Sequence, residues 1–382
     1  MFFGDYFNYF LYYILAILVI LVLVVWIIVR VILHFVRGGK SRNKEIGSKN
    51  WYLQMSLSRE DAVSQLYFFL ALGFLGITLF TFNRNLGQPF EWYTILLVTC
   101  IAGMVTAYYF KVIYALAFSL MGIIVWWVAQ ASNWATAKDI QTSAIFATVA
   151  WLALLMVVVG TLHEIKPLYK RAATVYEALG ILVTAGIFFF LSSNMGLETF
   201  QSFLNGKPFY SSWQLSISLL VIFAILGFAV IYAYGKKLLH GQEAITIALL
   251  SVVFMVVAFL PQLKIREAVN YYDYSSLSGG VGSLTAAGAF WAMVFNVMTL
   301  LGLLSVMLAG NLRRETWQIN LGALLLFIYV FVKYFDWFYT FLDKSVFFIG
   351  AGILFFVIGF FMERARKRVI QNIVSASSQV NV

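Results

Sequence analysis

Residues 143–171 read SAIFATVAWLALLMVVVGTLHEIKPLYKR, an apolar run with no Asp, Glu, Lys or Arg before Glu164, closed by Lys166, Lys170 and Arg171. About twenty apolar residues in a helix cross the ~30 Å hydrocarbon core of a bilayer. Cations just beyond such a run mark a cytoplasmic loop, because Lys and Arg in short loops set topology. Outward from this stretch the pattern recurs in both directions. Apolar blocks fall at about 7–36, 65–83, 92–109, 112–130, 143–161, 174–193, 213–234, 244–261, 289–309, 316–335 and 345–362. The whole chain is 62% hydrophobic and 11% charged, against roughly half and a quarter in a soluble domain. Only helices satisfy their own backbone groups over spans this long in lipid. The expected fold is therefore an all-α integral membrane protein, a polytopic bundle of about eleven transmembrane helices.

The blocks divide the chain into an N-terminal anchor helix (1–36), a basic cytoplasmic loop (37–64), a ten-helix membrane body (65–368) and a cytoplasmic tail (369–382). The first block lacks a basic leader and a small-residue cleavage site, so it reads as a retained helix. The loop 37–64 carries Trp51, Tyr52, Leu53 and Met55, which suit the headgroup level. Ser58 and Asp61 fit a capping box ahead of the second block.

Charge tests this order. With the N-terminus outside, eighteen of the 26 Lys and Arg fall in cytoplasmic segments and seven outside, with Arg30 inside the first block. This places the C-terminus in the cytoplasm and the protein in a plasma or inner membrane. The delicate point is the turn Tyr108–Lys111, which separates two blocks by a single charge. One long helix there would turn the cations at 166–171, 236–237, 313–314 and 364–368 outward, so a tight hairpin is expected. The net charge of +10 is accounted for by helix-end cations and implies no nucleic-acid partner. Anionic lipid headgroups are the expected partners of the 37–64 loop and the tail. A homo-oligomer or another membrane protein as partner is compatible with the sequence.

Chemistry-bearing residues are few. Cys100 is the single cysteine, and His34, His163 and His240 are scattered without metal-site spacing, so neither a metal nor a cofactor is expected. Acids within a span are functional candidates, and Glu177 lies too deep for its short side chain to reach the headgroups. It is expected either to hydrogen-bond locally, for example to Thr174, or to face His163, Lys236 or Arg313 on another helix. Glu177, His163, Glu164 and His240 form a weak catalytic candidate set at the inner face. Asn296 and Asn320 are intramembrane amides expected to bond neighbouring helices. Lys333 and Asp336, three residues apart, are expected to pair at the outer interface.

The C-terminal stretch has a recognisable pattern. Tyr334-Phe335-Asp336-x-Phe338 is followed by Leu342-Asp343-Lys344-Ser345-x-Phe347-Phe348, a glycine-bearing span, and Glu363-Arg364-x-Arg366-Lys367-Arg368. Over residues 320–368 the chain resembles a family of uncharacterised bacterial multi-pass membrane proteins. The resemblance implies a bacterial multi-pass protein and no specific activity.

Three functions fit. A membrane scaffold or assembly subunit without chemistry is favoured by the scarcity of intramembrane charge and predicts a packed body without a cavity. A carrier of a small or lipid-like solute predicts a cavity reaching the midplane. An intramembrane enzyme, the least favoured, needs its acid and base groups to converge.

Overall fold

A computed structural model describes residues 62–165, 169–266, 284–338 and parts of 348–364. The anchor 1–36, the loop through residue 61 and the tail lie outside the described residues. The described helices belong to one compact unit, Arg59–Val382. They are α1 (Ala62–Asn85), α2 (Trp92–Phe110), α3 (Ile113–Thr136), α4 (Ser143–His163), α5 (Lys170–Ser192), α6 (Asn194–Phe203), α7 (Trp213–Gly235), α8 (Gly241–Phe259), α9 (Ala286–Arg313) and α10 (Thr316–Phe338). Nine of these, all but α6, are long and apolar enough to cross a bilayer. Among the described residues there is no β-strand.

Local chemistry sets the helix ends. Asn83 clamps the α1–α2 turn by accepting from the Phe90 amide at 3.1 Å and donating to the Phe90 carbonyl at 2.8 Å. Ser193 turns extended and caps α6 by accepting from the Gly196 amide at 3.0 Å. Thr285 does the same for α9 through Gly288. The α2–α3 connection is a tight turn in which Lys111 takes a left-handed conformation, φ 59°. The two helices then pack closely through glycine. A Cβ on Gly103 would sit 2.1 Å from Ser119 Oγ, and one on Gly122 2.3 Å from Cys100 Sγ.

Helix α4 is the centre of the body and packs on α5, α7 and α8. Small residues on α4, Ala147, Ala150 and Ala153, are fully buried, and so is Trp151. The Trp151 indole donates to the Ser251 carbonyl of α8 at 3.2 Å. Small residues allow helix backbones to approach, which is what drives association where lipid is as apolar as the side chains. The α4–α5 contact depends on two such residues. A Cβ on Gly180 would lie 2.5 Å from the Ala153 carbonyl oxygen, and one on Gly160 2.4 Å from Glu177 Cγ. We therefore expect Gly180→Ala to destabilise the protein by about 1–3 kcal/mol, the usual cost of overpacking. Gly186→Ala on the same helix, whose Cβ would meet nothing within 4 Å, should leave the melting temperature in detergent unchanged or slightly raised. Equal melting of the two variants would show that the α4–α5 approach is looser than described.

The outer faces carry large apolar side chains, such as Phe74 at 67% exposure and Ile77 at 64% on α1. Contiguous apolar surface of this kind is rare on soluble monomers, and it suits lipid.

Candidate functional site

The α9–α10 hairpin places one guanidinium among three carboxylates. Arg313 is the last residue of α9, and Arg314 turns the chain in a left-handed conformation, φ 58°. The Glu315 amide donates back to the Gly310 carbonyl at 2.8 Å, and α10 begins at once. Glu243 is the N3 residue of α8, where it completes a capping box by accepting from the His240 amide at 2.9 Å. Asp and Glu are favoured in the first turn of a helix by its dipole. From there both oxygens of Glu243 accept from Arg313, Nε at 2.7 Å and Nη2 at 2.9 Å, a bidentate pair. Such forks combine strength with fixed geometry.

Glu177 reaches the same guanidinium from α5. Gly160 leaves the room its side chain occupies, and Arg313 Nη1 donates to Glu177 Oε1 at 3.0 Å. The other oxygen, Oε2, accepts from Gln318 Nε2 on α10 at 2.7 Å. Glu164, just past α4, lies 3.7 Å from Arg313 Nη1. Glu177 is 1% exposed and Glu243 6%. Burial lifts the Glu164 carboxyl pKa above the usual range, and the Arg313 charge opposes that rise. At the rim, Lys170 pairs with Glu315 at 3.0 Å. Arg313 thus ties α5, α8 and α9 together, with α10 joined through Gln318.

Of the arrangements considered for Glu177, the contact is with Arg313. Thr174 donates instead to the Lys170 carbonyl at 3.2 Å. His163 lies in a separate aromatic group. Its Nδ1 is 2.7 Å from the Val159 carbonyl and its Nε2 2.8 Å from the Tyr108 hydroxyl, which is 3.0 Å from that of Tyr176. His240 Nδ1 lies 3.6 Å from Glu243 Oε2. The structure therefore brings Glu177, Glu164 and, through Glu243, His240 to one place and leaves His163 elsewhere. Glu243 and Gln318 were not singled out from sequence. The polar spacing Gly241-Gln242-Glu243 ahead of an apolar run was the available signal for the first. Among the described residues no three His, Cys, Asp or Glu side chains are grouped to hold a metal ion.

Asn296 is a helix–helix link: Nδ2 donates to Ala292 at 2.6 Å and Oδ1 accepts from the Tyr329 hydroxyl of α10 at 2.6 Å. Asn320 Oδ1 has no partner among the described residues. At the opposite end of the bundle, Lys333 Nζ is 3.3 Å from Asp336 Oδ2 and donates to the Ser192 carbonyl. Asp336 also accepts from the Asn194 amide at 3.3 Å, so the pair fastens α10 to the α5–α6 turn. Asp336→Asn should then destabilise more when Lys333 is present than in a Lys333→Met background. A double-mutant cycle in detergent measures the difference, expected at roughly 1 kcal/mol. Additive effects would mean that the two side chains act separately.

A slot of about 100 Å³ opens beside the charge cluster, lined by residues of α4, α5, α8 and α9 together with Arg313, Glu243 and Gln318. Its walls are mostly apolar, including Leu154, Ile181, Phe188, Leu250 and Leu303. Four hydroxyls interrupt them: Thr184, Thr246, Thr299 and Ser305. Ser305 donates to Thr246 at 2.9 Å. Thr184 Oγ1 and Gln318 Oε1, both buried, have no hydrogen-bond partner among the described residues. Thr299 stands at the middle of the 28-residue α9. It is about 21 Å along the helix from Arg313, at ~1.5 Å per residue. The slot therefore runs from a charged end to the middle of the span. No protein-family model matches the chain, and no curated protein or solved structure matches it.

Proposed function

We propose that the protein is a carrier of a small amphipathic or lipid-like solute, embedded in a plasma or inner membrane with its Arg313 end toward the cytoplasm. One observation carries the reading. An apolar slot joins a buried charge cluster to mid-span, and buried polar atoms without partners line it. Ligand sites are typically apolar clefts with a few placed polar groups, and intramembrane ionisable residues mark solute pathways by default. A scaffold needs no such slot, since close packing throughout would serve it better. Enzymatic chemistry is supported less, because His163 is bound into the tyrosine group, apart from Glu164, Glu177 and His240. Orientation rests on the cation distribution. The ends carrying Lys170, Lys236, Arg313 and Arg314 fall on one side by helix alternation.

The test is transbilayer movement of a nitroxide-labelled single-chain amphiphile in liposomes holding the full chain, followed by external ascorbate reduction. Movement at least tenfold faster than in empty liposomes is expected. Rates equal to those of empty liposomes would remove the carrier reading.

A further inference from the structure

We propose that the slot opens sideways to the bilayer between α8 and α9, so that the solute's alkyl chain stays in lipid while its polar group travels along the slot. The inference rests on the carrier reading and specifies the route and the part of the solute that the protein holds.

Size gives the first argument. A cavity of about 150 Å³ holds one benzene. The slot, at about 100 Å³, encloses a few heavy atoms and no long chain. A lipid-like solute therefore fits only with its chain outside the enclosed space. The place for that chain is the hydrocarbon around the protein, because apolar surface is costly in water. The slot's two charged residues, Glu243 and Arg313, are bound to each other. They balance, which suits a head without net charge.

The walls give the second argument. Thr246 on α8 and Gly302, Ser305 and Val306 on α9 line the slot and are half-buried. Their chain neighbours Ile245, Leu301 and Leu304 are exposed apolar residues. The slot thus lies one residue round each helix from surface that suits lipid. A Cβ on Gly302 would meet nothing within 4 Å, so the α9 wall is open there. Helix α9 packs mainly on α10 and α5 and less on α8. At the charged end, the buried Arg313–Glu243 fork ties α9 to α8. Further along the span, Ser305 donates to Thr246 at 2.9 Å. That clasp is a single neutral hydrogen bond, of modest net strength, and a passing head that bonds the same hydroxyls can open it. On the opposite wall, Thr184 is 8% exposed and its Oγ1 has no partner among the described residues. A buried polar atom left unmatched asks for a polar group, which the travelling head supplies.

A bridge across the opening tests the route. Thr246→Cys and Ser305→Cys are combined in a Cys100→Ala background, and the full chain is placed in liposomes. The two thiols are joined by oxidation, or by a short bis-methanethiosulfonate where their geometry does not suit a disulfide. The probe is tritiated dodecylphosphoethanolamine, and external albumin extracts what reaches the outer leaflet. The bridge is expected to slow movement at least tenfold, and a reducing agent to restore it. A second probe, used on the wild type, carries the same head on a chain that ends in pyrene. A chain that stays in lipid gives the two probes rates less than tenfold apart, and this comparison decides alone if the cysteine protein does not fold. Slowing of less than tenfold by the bridge, or movement of the pyrene probe at least tenfold slower, overturns the lateral route and leaves the carrier reading standing. Movement of both probes by the wild type at the rate of empty liposomes overturns both.

Discussion

Replacing Arg313 with Met is expected to destabilise the protein by about 3–5 kcal/mol, the cost of removing one partner from a buried ion pair. The side chain is only 9% exposed. Its loss strips the donors from Glu243 Oε1 and Glu177 Oε1 and leaves Glu243 Oε2 with the His240 amide. Three carboxylates would then face one another in a buried site with their shared counter-charge gone. Arg313→Lys should rescue little, because a single ammonium cannot reproduce the planar fork that spans Glu243 and reaches Glu177. The triple change Arg313→Met, Glu177→Gln, Glu243→Gln should recover much of the loss, since neutral replacement of a whole buried ion set is often tolerated. Thermal unfolding in detergent ranks the three variants. A single Arg313→Met protein that melts like wild type would show that the cluster contributes nothing to holding α5, α8 and α9 together.

The second large effect falls on activity and leaves the fold intact. Gly302 lies on α9 and lines the slot, and a Cβ built there meets nothing within 4 Å. On the hairpin interface the situation is opposite. A Cβ on Gly310 would sit 2.9 Å from Gln318 Cβ, and one on Gly322 2.7 Å from Met307 Cγ. Gly302→Leu therefore adds a branched side chain to empty space and removes part of the ~1 kcal/mol that glycine costs a helix. The variant should melt at or slightly above the wild-type temperature while transbilayer movement of the labelled amphiphile falls at least tenfold, to the rate of empty liposomes. Unimpaired movement in a well-folded Gly302→Leu protein would separate the slot from transport.

The sequence and the structure agree most where one physical signal suffices. The apolar blocks at 92–109, 143–161 and 213–234 lie within α2, α4 and α7, because twenty apolar residues in a row have one low-energy form in lipid. The turn at Lys111 was harder. Its outcome depends on one left-handed residue, and only the downstream cation pattern argued for it. Helix α6 was not anticipated. NMGLETFQSF is short and half polar, and its apolar face is legible only once Phe200 and Leu197 are seen in the core. For Glu177 the sequence named Arg313 beside His163 and Lys236, because depth forbids solvation. It could not choose between them, since the choice depends on the rotation of α5 and on the space Gly160 leaves. Glu243 stands one residue before an apolar block, and its place in the cluster depends on how α8 meets the end of α9. The slot left no trace, because Leu, Ile and Phe line a cavity and face lipid equally well.

Accessibility of Thr184 tests the central claim most directly. In a Cys100→Ala background, Thr184→Cys would carry a thiol at the deep part of the slot. A charged, membrane-impermeant methanethiosulfonate reagent should modify it from the side of the Arg313 end alone, and Gly302→Leu should cut the rate at least tenfold. A thiol at position 184 that stays unmodified from either side, while one at the exposed Lys138 position reacts, would contradict a path from the charge cluster to mid-span.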